Sequence, residues 1–240
     1  IKTAAETILW GKCINSGQTC VAPDYVFIPE GTSNQFIEVA RATVAKNYPG
    51  KLSSNSDYTS MINDRQLHRV NGLLEDAREK GAEVIALADA EDARSAGKLA
   101  PHLVLNVSED MQIMKEEIFG PLLPVKTYRG LDEVLEYINS HERPLAFYYF
   151  DDDRGRTEMM LKKTISGGVS VNTVMLHVLQ ENLPFGGVGN SGLGHYHAEE
   201  GFQTFSKMRP IFHQSKINGS ALLRPPYGKL TRLLLKLTLR

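Results

Sequence analysis

Cysteine is nearly absent from this sequence, with Cys13 and Cys20 the only two thiols. Two thiols cannot build a disulfide framework in a chain of 240 residues, which points to a reducing compartment or to an extracellular protein that needs no bridges, with the cytoplasm favoured. Neither sign of charge is in excess: 27 Lys+Arg oppose 28 Asp+Glu, for a net charge of -1. No sequence-wide basic field exists to hold nucleic acid by counterion release, and no nucleic-acid partner is expected. No apolar run approaches the roughly 18 residues of a membrane span, and the basic and apolar regions of a signal peptide are missing. An initiator Met is missing too. Ala4, Ile8 and Leu9 already read as one side of a helix with no cap before them, so the chain is expected to begin inside a larger protein.

What is present is ordinary globular composition, 42% hydrophobic and 23% charged, and a regular alternation of elements. The opening helix runs to about Asn15 and breaks at Gly17, which puts Cys20 on a loop ahead of a strand at 24–28. Capping-box patterns at Thr32/Gln35 and Asn63/Gln66 start the next two helices. Strands follow at 84–87, 102–107, 122–128, 145–150 and 168–172, with a loop over 88–97 and helices at 131–140 and 154–164. Near-continuous apolar strands and one-sided helices predict an α/β fold, a mostly parallel sheet with helices on both faces. Beyond Pro225-Pro226, Leu230, Leu233, Leu234 and Leu237 recur at helical spacing beside cationic residues. This tail is expected to be an amphipathic helix that covers a tunnel mouth, leans on a membrane or packs in a dimer.

On position alone, Cys20 supports two readings. Backbone amides of an irregular loop can stabilise a thiolate, whereas most free cysteines are buried small hydrophobes. Three further patterns are read as structural. Gly187-Val188-Gly189-Asn190-Ser191-Gly192 matches G-x-G-x-x-G but follows Pro184-Phe185 rather than a strand. Asp151-Asp152-Asp153 precedes a helix as caps do, and His195 and His197 have no ligand pattern around them, so no metal is expected.

Three strings change the balance. Asn15-Ser16-Gly17-Gln18-Thr19-Cys20, Glu116-Glu117-Ile118-Phe119-Gly120-Pro121 and Leu183-Pro184-Phe185-Gly186-Gly187 resemble the N-x-G-Q-x-C, E-E-x-F-G-P and P-F-G-G signatures of aldehyde dehydrogenases, in the family's order and spacing. Val21-Ala22-Pro23-Asp24-Tyr25 and Phe202-Gln203-Thr204-Phe205-Ser206 resemble the class 3-like branch that includes coniferyl, fatty and aromatic aldehyde enzymes. The resemblance runs from Ile1 to about Pro210.

It implies that Cys20 is the catalytic thiol and that its N–H is one oxyanion donor. Glu117 would hold the ribose hydroxyls of NAD or NADP, and Phe119 would pack beside the nicotinamide. Phe185 would line the aldehyde tunnel, approached by Asn172 and His177. The implied activity is oxidation of a large apolar or aromatic aldehyde, coniferyl-type favoured, by an enzyme that is a homodimer when complete. The implied organisation is a thiol-bearing catalytic domain over 1–212 and an oligomerisation and gating tail over 213–240, with the nucleotide-binding domain upstream of the chain. The family's E-L-G-G base string does not occur here, and Glu6, on the opening helix, lacks that context. The isolated chain is therefore expected to be inactive. A cysteine hydrolase and a non-catalytic binding or assembly fragment of the same fold remain open alternatives.

Overall fold

The computed structural model describes residues 1–220 and 224–238. Its elements in chain order are α1 (Lys2–Cys13), β1 (Val26–Pro29), α2 (Ser33–Asn47), α3 (Asp64–Glu79), β2 (Glu83–Ala86), α4 (Ala90–Ser95) and β3 (His102–Leu105). There follow β4 (Leu122–Tyr128), α5 (Leu131–Ser140), β5 (Ala146–Tyr149), α6 (Arg154–Lys163), β6 (Gly168–Val171), α7 (Ala198–Thr204) and α8 (Lys229–Thr238). Residues 1–204 form one compact unit and 205–240 a second.

Four strands make the main sheet in the order β1-β4-β3-β2, with β1, β4 and β3 parallel and β2 antiparallel at the edge. Side-chain alternation feeds its two faces. Leu103, Leu105, Leu123 and Val125 point into a core with Ala5, Ile8 and Leu9 of α1 and Phe36, Ala40 and Val44 of α2. Val104 and Leu122 point the other way, against Val70, Leu73, Leu74 and Ala77 of α3. The mixed α/β architecture agrees with the sequence reading, but the strands do not form one sheet: β5 and β6 pair separately, in parallel. On this small sheet, Phe147 and Tyr149 face α5 and α6, while Tyr148 and Phe150 pack toward the α1 core.

Two local expectations are corrected. The stretch 88–97 is not all loop: Asp89 accepts hydrogen bonds from the N–H groups of Glu91 and Asp92, and this cap starts α4. The Thr32 capping box does not form either, because the Thr32 hydroxyl donates back to the Pro29 carbonyl at 2.6 Å. Asn63 does cap α3, accepting from Gln66 N–H at 2.9 Å.

In the second unit the tail forms α8, with Leu230, Leu233, Leu234 and Leu237 all exposed. Leu239 and Arg240, included in the expected tail helix, lie outside the described residues. Among the described residues no helix is long and apolar enough to cross a membrane.

Candidate active site

The Cys20 loop begins where α1 ends in a run of left-handed residues, Asn15 (φ 51), Ser16 (φ 52) and Gly17 (φ 70). Such a run is costly for side-chain-bearing residues, and neighbouring hydrogen bonds hold it. The Ser16 hydroxyl donates to the Thr59 carbonyl. Gln18 works as a clip: its amide nitrogen donates to the carbonyls of Asn15 and Ser60, and its amide oxygen accepts from Ile62 N–H at 2.8 Å. The loop thus presents Cys20 exposed, while Cys13 is buried in the α1 core and its thiol is pushed up to about 12 by burial.

Gly17 abuts a second loop. A Cβ there would overlap the backbone carbonyl of Gly120, so the Gln18-Thr19-Cys20 turn and the Glu116–Pro121 stretch are pressed together. Asp24 also joins them by accepting from Ile118 N–H at 3.2 Å. Arg69 on α3 donates to the carbonyls of Glu117 and Ile118 and pairs with the Glu116 carboxylate at 3.7 Å. Phe119 sits at φ 48 and is 39% exposed. The Glu117 carboxylate accepts no hydrogen bond from the described residues. Partial desolvation and then the charge of Asp24 raise its pKa, against Arg69 and Lys12. An exposed carboxylate with free lone pairs, beside an exposed aromatic ring on a braced loop, suits a vicinal diol and a flat ring, so these residues fit a nicotinamide nucleotide.

Lys12 was not a sequence candidate, although it continues the buried face of Ala5, Ile8 and Leu9. It is 1% exposed, and burial brings its pKa down to about 8 against the pull of Asp24, Cys13 and Glu117. The charge of Lys12 acts on Asp24 of the first loop and on Glu117 of the second.

The proposed tunnel residues divide. Phe185 is buried and bridges Tyr196 as an isolated antiparallel pair. Its ring stacks on His197 at 5.4 Å and lies 6.1 Å from that of His177. The His177 Nδ1 meets the Ser170 hydroxyl at 3.0 Å, and burial lowers the pKa of the ring. Asn172 is committed elsewhere: its oxygen accepts from Asp151 N–H at 2.9 Å and its nitrogen donates to the Asp151 carbonyl at 3.0 Å. Tyr148, also missed in the sequence, links the groups. Its hydroxyl donates to the carbonyl of Val21, next to Cys20, at 2.6 Å, and its ring lies edge-on to His177 at 6.0 Å.

The other patterns resolve structurally. Asp153 caps α6 by accepting from Arg156 N–H at 2.7 Å, and Asp151 holds the Arg156 guanidinium. A 3-10 turn (Gly189–Ser191), not a strand entering a helix, occupies the glycine string. His197 is partly buried, and its ring packs on Phe185. Among the described residues no cluster of three or more His, Cys, Asp or Glu could hold a metal ion.

The aldehyde dehydrogenase family model matches residues 1–211. A probable coniferyl aldehyde dehydrogenase of Pseudomonas aeruginosa is 49% identical over 242 residues, covering 100% of this chain and 50% of that protein. A dimeric NADP-preferring aldehyde dehydrogenase of Rattus norvegicus is 38% identical across 92% of this chain and 47% of its own length. The substrate-bound state of Staphylococcus aureus AldH superposes with a TM-score of 0.85 at 33% identity, over 99% of this chain and 51% of that one. The chain spans about half the length of the curated relatives it matches. It belongs to the aldehyde dehydrogenase family.

Proposed function

We propose that this chain is the thiol-bearing half of an NAD(P)-dependent aldehyde dehydrogenase that converts a large apolar or aromatic aldehyde, coniferyl-type favoured, to its carboxylic acid. The observation that carries the reading is the joined pair of loops, one presenting Cys20 and the other presenting Glu117 and Phe119. The coniferyl preference draws on the name of the Pseudomonas relative and on the aromatic rings gathered around Phe185.

In this reading the Cys20 thiolate adds to the aldehyde carbon and forms the C–S bond while the carbonyl electrons move to oxygen. The Cys20 N–H donates to that oxyanion. Glu117 would accept from the ribose hydroxyls of NAD(P), and Phe119 would pack against its nicotinamide side. Bound NAD(P)+ supplies a hydride acceptor. Loss of hydride from its carbon would turn the thiohemiacetal on Cys20 into a thioester, which water would hydrolyse to release the acid and restore the thiol. The base for that water and the second oxyanion donor are assigned to the nucleotide-binding half. Losing one oxyanion donor costs about 100- to 1000-fold, and losing a general base about 100- to 10,000-fold. The 240-residue chain alone is therefore expected to be inactive.

The leucine stripe of α8 is assigned to packing against a second copy in a homodimer, as the word dimeric in the rat relative's name suggests. The working test is an aldehyde panel run on the full-length enzyme with NAD+ and NADP+. Turnover led by aromatic aldehydes supports the reading, and turnover led by acetaldehyde or glyceraldehyde 3-phosphate rejects the substrate class.

A further inference from the structure

Tyr148 stands where the elements around Cys20 converge. Alternation along β5 turns Phe147 and Tyr149 to α5 and α6, and sends Tyr148 to the opposite side, toward α1. There its hydroxyl donates to the Val21 carbonyl at 2.6 Å, and the Met175 backbone acts on the same phenol. The Val174-Met175 segment is itself pressed on α1, because Gly11 leaves room for the Val174 side chain and Val174 is fully buried. The Tyr148 ring lies edge-on to His177, which contacts Phe185. One phenol thus ties the segment just after the thiol to the segment just after β6, and its ring reaches the aromatic group containing Phe185.

We propose that Tyr148 is a positioning residue for Cys20: by fixing the Val21 carbonyl it sets the direction in which the thiol meets an aldehyde arriving past Phe185. The proposal rests on Cys20 being the acylated thiol. Tyr148 transfers no proton and touches no reacting atom. Its loss leaves the thiol chemically unchanged and loosens its aim, and misplacement of a reacting group by about 1 Å can cost 100-fold in rate.

The test is Tyr148→Phe in the full-length enzyme, with Tyr149→Phe as the control. Tyr149 donates a comparable bond to Asp151 from the other side of the same strand. Tyr148→Phe is expected to lower kcat/KM for the aldehyde about tenfold, leave KM for NAD(P)+ within about twofold, and leave the iodoacetamide rate at Cys20 within about twofold. Tyr149→Phe is expected to leave all three unchanged. Three results overturn the proposal: an unchanged kcat/KM in Tyr148→Phe, a parallel fall in aldehyde turnover and alkylation, or an equal loss in Tyr149→Phe. Cys20→Ala separates the two levels. Activity surviving in Cys20→Ala rejects the thiol reading itself, whereas an inactive Cys20→Ala with a fully active Tyr148→Phe rejects only the positioning role.

Discussion

Gly17 and Gly120 meet backbone to backbone, with no room for a methyl group between them. Gly17 also holds a φ of 70, a conformation that favours glycine. Gly17→Ala therefore adds both backbone strain and an overlap with a carbonyl that cannot rotate away. The expected cost is about 1–3 kcal/mol of stability, read from denaturant unfolding, with a larger loss of turnover because the two loops separate. Unfolding at the parent's denaturant midpoint would show that the loops are not joined at this point.

The two thiols should differ sharply toward electrophiles. Cys13 is buried with its thiol pushed up to about 12, and Cys20 is exposed on its loop. Limited iodoacetamide treatment followed by peptide mapping should modify Cys20 first, since the thiolate is the reacting form and access is required. Preferential modification of Cys13 would remove the basis for the assignment.

Much of this site was legible in the sequence because it is carried by short strings: the turn after α1, the glutamate with its phenylalanine, and Phe185. What the strings lacked was the third dimension. Strand alternation sets Tyr148 opposite to Phe147 and Tyr149, but which face meets the thiol loop depends on β5 pairing with β6 outside the main sheet. Asn172 reads as a loop residue near the tunnel, yet the adjacency of the β5 and β6 ends gives both ends of its amide to Asp151. Lys12 was open to detection from the spacing of Ala5, Ile8 and Leu9, which puts it on the buried face. A lysine there is easily assumed to reach solvent. Helix α4 was missed because its Ala- and Asp-rich composition suggested a loop, although Asp89 followed by acidic residues is a helix start.

Burial of Lys12 predicts a pH signature. Its folded pKa of about 8 lies below the ordinary 10.5, so between those values the unfolded chain binds more protons and this residue's contribution to stability rises with pH. Cys13 acts in the opposite sense above its ordinary 9.0, because its folded value is raised. The comparison that isolates the lysine is parent against Lys12→Met. From pH 7.5 to 9.5 the parent should gain stability relative to the variant, and two parallel curves would mean that Lys12 is not buried as a charge.

Glu117→Gln keeps the shape of the side chain and removes its charge. In the full-length enzyme KM for NAD(P)+ should rise about tenfold, equivalent to about 1.4 kcal/mol of binding, while iodoacetamide modification of Cys20 proceeds at the parent's rate. An unchanged KM would place the ribose contact on another residue.

The central claim is that Cys20 carries the acyl group during turnover. It is tested most directly by acid-quenching the full-length enzyme during oxidation of an aromatic aldehyde with NAD(P)+ and locating the adduct by peptide mass spectrometry. An acyl group is expected on the peptide containing Cys20, absent when NAD(P)+ is omitted and absent in Cys20→Ala, which should not turn over. An acyl group on any other residue, or sustained aldehyde oxidation by Cys20→Ala, would contradict it.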